Sequence, residues 1–195
     1  MKKKIIFSLA ALLLSCSLTF AQTSETKEKI RFNLRCGFGG NYSIACAEFG
    51  LTENIGAYTE INLSEKYKGW KFNIGPKLNN RNYAWTNDAN INVSLLFIDI
   101  PLLFSYDFSL DAKNVFRLEV GPYYSQYISG AIFVNNKNIA TGYCNGYCSP
   151  FNVGLIIGGG FWHGDFYIGT DFDFIWDWAG EDAFPTFYIT TGYRF

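Results

Sequence analysis

Apolar and polar residues alternate with a period of two through nearly the whole chain after its first 21 residues. The stretch IRFNLRCGF, which begins at Ile30, places apolar side chains on one face and Arg31, Asn33 and Arg35 on the other. A helix would repeat its apolar residues at intervals of three and four, so this pattern is typical of β-strands. Further segments repeat it up to the last residue. The sequence therefore predicts eight strands and no helix in the mature chain.

The connections between these segments alternate in length. SEKYKG, DFSLDAKN and WHGD are compact, residues 40–55 and 135–150 are longer, and YAWTNDAN and AGEDAF are intermediate. Eight antiparallel strands would then place both termini and three compact turns at one end, and four loops at the other. The stretch INVSLLF runs out of phase with the IDIPLLF that directly follows it, which predicts a β-bulge near Phe97.

The first residues, MKKKIIFSLAALLLSCSLTFAQ, join three lysines to a short apolar run and to small residues around Ala21. This is typical of a secretory signal peptide over residues 1–21 and is too short for a membrane-spanning helix. The alternative is a lipoprotein signal with Cys16 as the lipidated residue. The mature domain, residues 22–195, then carries 13 basic and 17 acidic side chains. We expect no nucleic-acid partner, because such a partner needs a basic patch.

The alternation leaves open which face points inward. A soluble ligand-carrier barrel has an apolar lumen, whereas an outer-membrane barrel has an apolar coat and a polar lumen. The chain is 49% hydrophobic and 19% aromatic but only 17% charged. Aromatic residues also gather at both ends of the strands, as the girdles of a transmembrane barrel do. The sequence therefore predicts an all-β fold, an eight-stranded antiparallel transmembrane up-and-down barrel in contact with the lipid of a bacterial outer membrane.

The last strand, FPTFYITTGYRF, ends in mid-alternation on an aromatic residue. Its outward positions include Phe187, Ile189, Tyr193 and Phe195. This ending resembles the C-terminal insertion signal of bacterial outer-membrane barrels. The resemblance implies that the barrel-assembly machinery recognises these residues during insertion.

Four segments, FIDIPLLFSYDF, FRLEVGPYYSQYISGA, FNVGLIIGGGF and TTGYRF, resemble the PorT-like outer-membrane β-barrel family. The resemblance covers residues 91–195 well and residues 30–86 more loosely. The namesake of that family belongs to a protein-secretion apparatus, but these motifs mark architecture rather than chemistry. We therefore expect a structural or surface-interaction role through the outer loops. The alternative is a narrow porin or a secretion-associated barrel.

Charged residues of both signs fall on the predicted inward face. An eight-stranded barrel is just wide enough for side chains to fill, and an unpaired buried charge is costly. The stretch DFDFIWDW could instead hold a cation or a catalytic carboxylate pair, but the near-balance of charges favours a lumenal ion-pair network. The predicted network comprises Arg31, Arg35, Glu60, Lys71, Lys77, Asp99, Arg117, Glu119, Asp171, Asp173 and Arg194.

Few residues suggest chemistry of another kind. His163 is the only histidine and lies in a compact turn without an evident Ser or Cys partner. The glycine-rich IIGGGFW lacks the Lys-Ser/Thr of a phosphate-binding loop. Cys144 and Cys148 flank an Asn-Gly turn and predict a local disulfide, although the four mature cysteines allow three pairings. We therefore predict no enzyme, and no catalytic, metal or cofactor site.

The outer loops are rich in aromatic residues, which suit contact with a protein or glycan partner. The same residue types are also ordinary at a membrane interface. The predicted rim consists of Tyr42, Tyr83, Trp85, Tyr143, Tyr147, Trp178 and Phe184.

Overall fold

The structure, a computed structural model, describes residues 30–43, 48–63, 69–85, 91–135, 137–142, 151–177 and 183–195. These residues form ten antiparallel β-strands: β1 (Ile30–Ser43), β2 (Glu48–Asn62), β3 (Trp70–Ile74), β4 (Lys77–Trp85), β5 (Ile91–Ser109), β6 (Asn114–Val134), β7 (Lys137–Gly142), β8 (Phe151–His163), β9 (Phe166–Asp177) and β10 (Ala183–Arg194). Within these ranges, no helix is long and apolar enough to cross a membrane.

Eight strand positions make up a closed ring. β3 and β4 are two segments of one position, separated at Gly75 and Pro76, because both pair with β2 and with β5. β7 extends the loop end, where it pairs with the last residues of β6. Pairing of β1 with β10 closes the sheet, so the ring order is β1, β2, β3/β4, β5, β6, β8, β9 and β10. The predicted eight-stranded antiparallel barrel is confirmed.

The strands are strongly tilted. From Ile30 of β1, the paired residues can be followed from strand to strand around the ring. They lead back to β1 at Gly40, ten residues after the starting point. Such a stagger is linked to the strand tilt, which in closed barrels is typically about 35–45°. The end that carries both termini and the compact turns is called the turn end here, and the opposite end the loop end.

The polar face points into the barrel and the apolar face points outward. Buried polar residues include Arg35, Glu60 and Arg117, whereas Phe38, Ile168 and Ile189 are largely exposed on the outside. Exposed apolar side chains cover all eight strand positions. This is the arrangement of a barrel that is surrounded by lipid, and it excludes a soluble ligand-carrier barrel with an apolar lumen.

Aromatic rings form a nearly continuous girdle at the turn end. One run of neighbouring rings, with centroids 4.6–6.0 Å apart, consists of Trp70, Tyr106, Phe108, Phe116 and Phe161. A second run, with centroids 5.0 and 5.1 Å apart, consists of Phe166, Tyr193 and Phe195. The second run contains two outward residues of the predicted insertion signal. The final phenylalanine therefore belongs to the girdle at the membrane interface.

The prediction of a long loop over residues 40–55 is wrong. β1 continues to Ser43 and β2 begins at Glu48. The alternation in FGLTENIGA was obscured because Glu53 occupies an outward, otherwise apolar position. Asn80 of the neighbouring strand donates a hydrogen bond of 3.2 Å to the Glu53 carboxylate, which gives this carboxylate a polar partner on the outer surface.

The predicted irregularity near Phe97 is present, but its cause differs. The register shifts between Leu96 and Phe97 because β6 carries an extra residue, Ile128, opposite them. β5 therefore keeps one phase throughout its length. Leu95 and Phe97 consequently point inward, where they pack with Tyr127 as an apolar cluster at the loop end of the lumen.

Candidate functional site

Two ion pairs cross the whole width of the barrel. Arg35 of β1 pairs with Glu119 of β6, and Lys77 of β4 pairs with Asp173 of β9 at 2.6 Å. In each pair the two strands lie four positions apart in a ring of eight, which places them on opposite walls. These two pairs are called the cross-bars. A lumen bridged from wall to wall by side chains is a packed core rather than an open passage.

Aromatic rings hold the cations of both cross-bars. The Arg35 guanidinium lies 5.0 Å from the Tyr58 ring centroid and 4.9 Å from that of Tyr167. The Lys77 ammonium lies 5.5 and 5.4 Å from two further tyrosine rings, those of Tyr123 and Tyr188. Cations over ring faces are stabilised electrostatically, and more strongly when they are desolvated. Each cation therefore contacts two tyrosine rings in addition to the carboxylate with which it pairs.

Inward glycines make room for these rings. An ideal Cβ on Gly169 would lie 2.3 Å from the Tyr167 hydroxyl oxygen, and one on Gly154 would lie 2.4 Å from Tyr123 Cε1. Any side chain at these two positions would collide with a ring. Gly160, in the glycine-rich stretch of β8, likewise faces Tyr167, whose Cε2 would lie 2.8 Å from an ideal Cβ. This stretch thus allows the interior to close up, as expected from the sequence.

A denser cluster of charges lies near the turn end. Lys71 contacts Glu60 at 2.6 Å and Asp107 at 2.9 Å. Arg117 contacts the same two acids, Glu60 at 2.7 Å and Asp107 at 2.6 Å, and is fully buried. Arg194 lies further away, 4.0 Å from Glu60. Three cations therefore share two acids in this cluster.

A third group of polar side chains surrounds Asp99 nearer the loop end. Arg81 donates to Asp99 at 3.2 Å, Asn79 donates to it at 3.0 Å, and Ser125 also donates to it. Lys77 approaches the same carboxylate at 3.8 Å. Arg81 was not among the predicted lumenal residues, although the alternation of β4 continues through it. Asp107 was not predicted in the network either, although it lies in phase with Asp99.

The structure places all eleven predicted lumenal residues on inward positions, but it does not bring all of them together. Asp171 accepts a hydrogen bond from Thr190 at 2.7 Å, and no cation among the described residues lies within 4.0 Å of it. Arg31 lies at the turn end, where it lines an open cavity with Arg194. The ion pairs therefore form three separate clusters rather than one network. They are Arg35 with Glu119, Lys77 with Asp173, Asp99 and Arg81, and the cluster around Glu60 and Asp107.

The remaining candidates are placed as follows. His163 Nδ1 lies 2.8 Å from the side-chain oxygen of Asn114, and Asn114 in turn donates to Asp111. Hydrogen bonds from the Asn114 side chain and from the backbone N–H groups of Lys113 and Asn114 lower the pKa of Asp111.

Cys36 is a free, exposed thiol on the outer face. The described part of the chain contains no group of three or more His, Cys, Asp or Glu side chains that could hold a metal ion.

Several predictions concern residues outside the described ranges. The predicted disulfide partners Cys144 and Cys148 lie there, as does the predicted signal peptide. Of the aromatic rim, only the side chain of Tyr42 is described, and it is exposed at the end of β1. Of the insertion signal, Phe187, Ile189, Tyr193 and Phe195 all point outward from β10 or follow its end.

A closed eight-position barrel with a charged interior, an apolar exterior and an aromatic girdle defines a small integral protein of the bacterial outer membrane. The sequence matches the family described as outer membrane protein beta-barrel domain over residues 12–176, and the chain belongs to this family. No curated protein sequence matches the chain. The turn end is accordingly the periplasmic end.

Two solved structures share the fold at low sequence identity, and a third aligns less well. Neisserial surface protein A aligns with a TM-score of 0.52 and 9% identity, over 86% of this chain and 98% of that chain. The outer membrane enzyme PagL aligns with a TM-score of 0.51 and 12% identity, over 83% and 98%. Ail of Yersinia pestis aligns with a TM-score of 0.49 and 11% identity, over 86% and 100%.

Proposed function

We propose that this protein is a closed, non-conducting barrel that anchors its outer loops at the bacterial surface for contact with a protein or glycan partner. The observation that carries the closed lumen is the pair of cross-bars, Arg35–Glu119 and Lys77–Asp173. They bind opposite walls, and bulky tyrosines fill the space beside them. Side chains packed in this way leave space for isolated water molecules rather than a continuous path.

A non-enzymatic role is part of this proposal. His163 is engaged with Asn114 in a periplasmic turn, away from the outer loops. General base catalysis on a serine or cysteine would need such a nucleophile within hydrogen-bond reach. The acids of the lumen are engaged mainly by cations and amide or hydroxyl donors of the protein itself. These contacts suit a structural plug.

The surface role rests on the shape of the loop end. β5 and β6 pair as far as Ile91 and Val134, and β7 adds a further strand beside them. β5 and β6, with 19 and 21 residues, are much longer than the 9–11 residues that a strand needs to cross a bilayer. This strand extension supports β7, residues 137–142, beyond the membrane. A PorT-like assignment rests on the motifs in residues 91–195 and belongs to the same proposal.

Purified protein should show no steady ion conductance in a planar bilayer, because the cross-bars close the lumen. Replacing Arg35 and Arg117 with alanine should lower the thermal stability of the barrel without producing ion conductance. Arg35→Ala leaves the buried Glu119 carboxylate without its cation, which typically costs about 3–5 kcal/mol. Arg117→Ala removes one of the two cations of Glu60 and Asp107, which keep Lys71, so it should cost less. Thermal unfolding in detergent and single-channel recording on the same samples provide the two measurements.

A paired replacement serves as the control. Arg35→Met combined with Glu119→Leu removes both charges of one cross-bar and should retain more stability than Arg35→Ala alone, because no charge is left unpaired. Reproducible single-channel steps from the unmodified protein would contradict the closed lumen, and the narrow-porin alternative would then be preferred.

Trimming residues 137–148 should abolish capture of the surface partner without unfolding the barrel. β7, the described part of this segment, extends from the loop end, and the ring of strands is complete without it. The measurement is a cross-linking pull-down from intact cells, with the heat-dependent gel mobility of the barrel as the test of folding. Lys113→Gln, a substitution in a periplasmic turn, is the control and should leave capture unchanged. Equal capture by the trimmed protein would place the partner site elsewhere.

A further inference from the structure

The outer wall of the barrel carries a stripe of polar side chains near the loop end. They occupy outward positions of β2, β4 and β5, which are neighbouring strand positions in the ring. We call these residues the polar stripe, and they are Glu53, Asn80, Asn82 and Ser94. Glu53 is the only Asp, Glu, Lys or Arg among the outward strand residues whose side chains are described. A carboxylate on a lipid-facing wall is uncommon and points to a function.

Hydrogen bonds connect the stripe but do not saturate it. Ser94 donates to the Asn80 amide oxygen at 3.1 Å, and Asn80 donates to the Glu53 carboxylate at 3.2 Å. Asn82 donates to the Leu51 carbonyl at 3.0 Å. Among the described residues, Glu53 has no cation within salt-bridge distance. A carboxylate accepts several hydrogen bonds, and an amide has two N–H donors and an oxygen acceptor. The stripe therefore presents further acceptors and donors side by side on the outer surface.

The stripe faces the headgroup boundary of the outer leaflet. On β2, Glu53 lies between Leu51 and Ile55, whose side chains are 56% and 47% exposed on the apolar surface. Asn80 lies ten residues beyond Trp70, a residue of the girdle at the periplasmic end. A tilted strand crosses a bilayer in about 9–11 residues. The polar groups are therefore placed where the hydrocarbon of the outer leaflet ends, with apolar side chains around them.

The opposite wall has a different composition at the corresponding height. β9 lies four positions from β4 in the ring of eight. Its outward residue Trp176 also lies ten residues beyond a girdle residue, Phe166, and is 50% exposed. The ring of Phe174 lies beside it, with centroids 5.7 Å apart. The outer boundary thus carries aromatic rings on one side of the barrel and amides with a carboxylate on the other, so the stripe indicates a polar contact that is specific to its side.

We propose that the polar stripe binds the sugar headgroup of a glycolipid in the outer leaflet. Sugar hydroxyls both donate and accept hydrogen bonds, which matches a surface where Glu53 accepts and the amides of Asn80 and Asn82 do both. Neighbouring strands lie about 4.8 Å apart, so three strand positions span the width of a small headgroup. The exposed Leu51 and Ile55 contact its acyl chains, which a free glycan lacks. This contact is separate from the loop partner, because it lies on the wall of the barrel.

Native mass spectrometry of the full mature chain in a non-ionic detergent tests this contact. The probe is digalactosyl diacylglycerol, and the reference is diacylglycerol with the same acyl chains. We expect the glycolipid to bind about tenfold more tightly, the equivalent of one hydrogen bond to a charged group. Glu53→Leu combined with Asn80→Leu should remove this preference. The double variant should fold, because apolar residues already occupy the surrounding outward positions, and thermal unfolding of the same sample checks this.

Thr170→Leu is the matched control, because it removes an exposed, outward polar side chain from the opposite wall, and it should leave the preference unchanged. The free digalactose disaccharide, at the same concentration, should not displace the glycolipid. Equal binding of glycolipid and diacylglycerol, a preference that persists in the double variant, or displacement by the free disaccharide would overturn the proposal. A dimer of the chain that the double variant abolishes would also overturn it, since the stripe would then contact a second copy.

Discussion

Phe172→Arg is expected to block membrane insertion, or to lower the free energy of unfolding by about 2–4 kcal/mol where insertion still occurs. Phe172 lies at mid-strand on the outer face, where it pairs across the sheet with Ile157 and Phe187. All three side chains are exposed on the apolar surface. An arginine here would place its charge near the middle of the bilayer. Urea unfolding in lipid vesicles and the amount of protein in the outer-membrane fraction measure the effect.

Two matched variants test whether the effect of Phe172→Arg depends on the depth of the residue in the bilayer and on the face of the strand that it occupies. Phe166→Arg changes the same strand and the same face, but in the periplasmic girdle, where an arginine should cost about 0–1 kcal/mol. Asp171→Asn changes the adjacent inward residue, keeps an acceptor for Thr190, and should do less damage than Phe172→Arg. If Phe172→Arg were as stable and as abundant in the membrane as the unmodified protein, the outer face would not contact lipid at that depth.

Deleting Phe195 is expected to reduce delivery to the outer membrane strongly while changing the stability of the folded barrel little. The side chain is 54% exposed and contacts Tyr193 in the girdle, so it contributes little packing within the protein. Its backbone N–H donates to the Phe32 carbonyl at 2.8 Å, a single bond at the seam between the first and last strands. If the assembly machinery recognises this ending, loss of recognition should exceed loss of stability.

Two measurements separate recognition from stability. Protein abundance in the outer-membrane fraction reports delivery, and refolding of purified chain into detergent reports folding without the machinery. Phe108→Ala is the control, because it removes an aromatic ring of similar exposure, 44%, from the same girdle but outside the last strand. It should be delivered normally. Normal delivery of the chain without Phe195 would refute a role for this residue as an insertion signal.

The alternation in the sequence was sufficient to predict the strands, their antiparallel order and the faces they present. Successive side chains of a strand point to opposite faces, so Arg35 and Glu119 could be assigned to the polar face without knowledge of their neighbours. The surplus of aromatic over charged residues then indicated that the apolar face meets lipid. Where this local pattern was broken, as at Glu53, the prediction failed and a strand was taken for a loop. A single outward polar residue suffices to hide an alternation of period two.

Which charges meet could be learned only from the tertiary structure. A strand pattern states that a residue points inward but not its height along the axis, because height depends on the stagger accumulated around the ring. Here that stagger is ten residues, and it brings Arg35 opposite Glu119 and Lys77 opposite Asp173 while leaving Asp171 without a close cation. It also gathers Arg31, Lys113 and Arg194, from three separate parts of the chain, around one open cavity at the periplasmic end. The sequence by itself determined the faces of the strands, whereas the closed ring decided the partners, because register and closure are properties of the whole sheet.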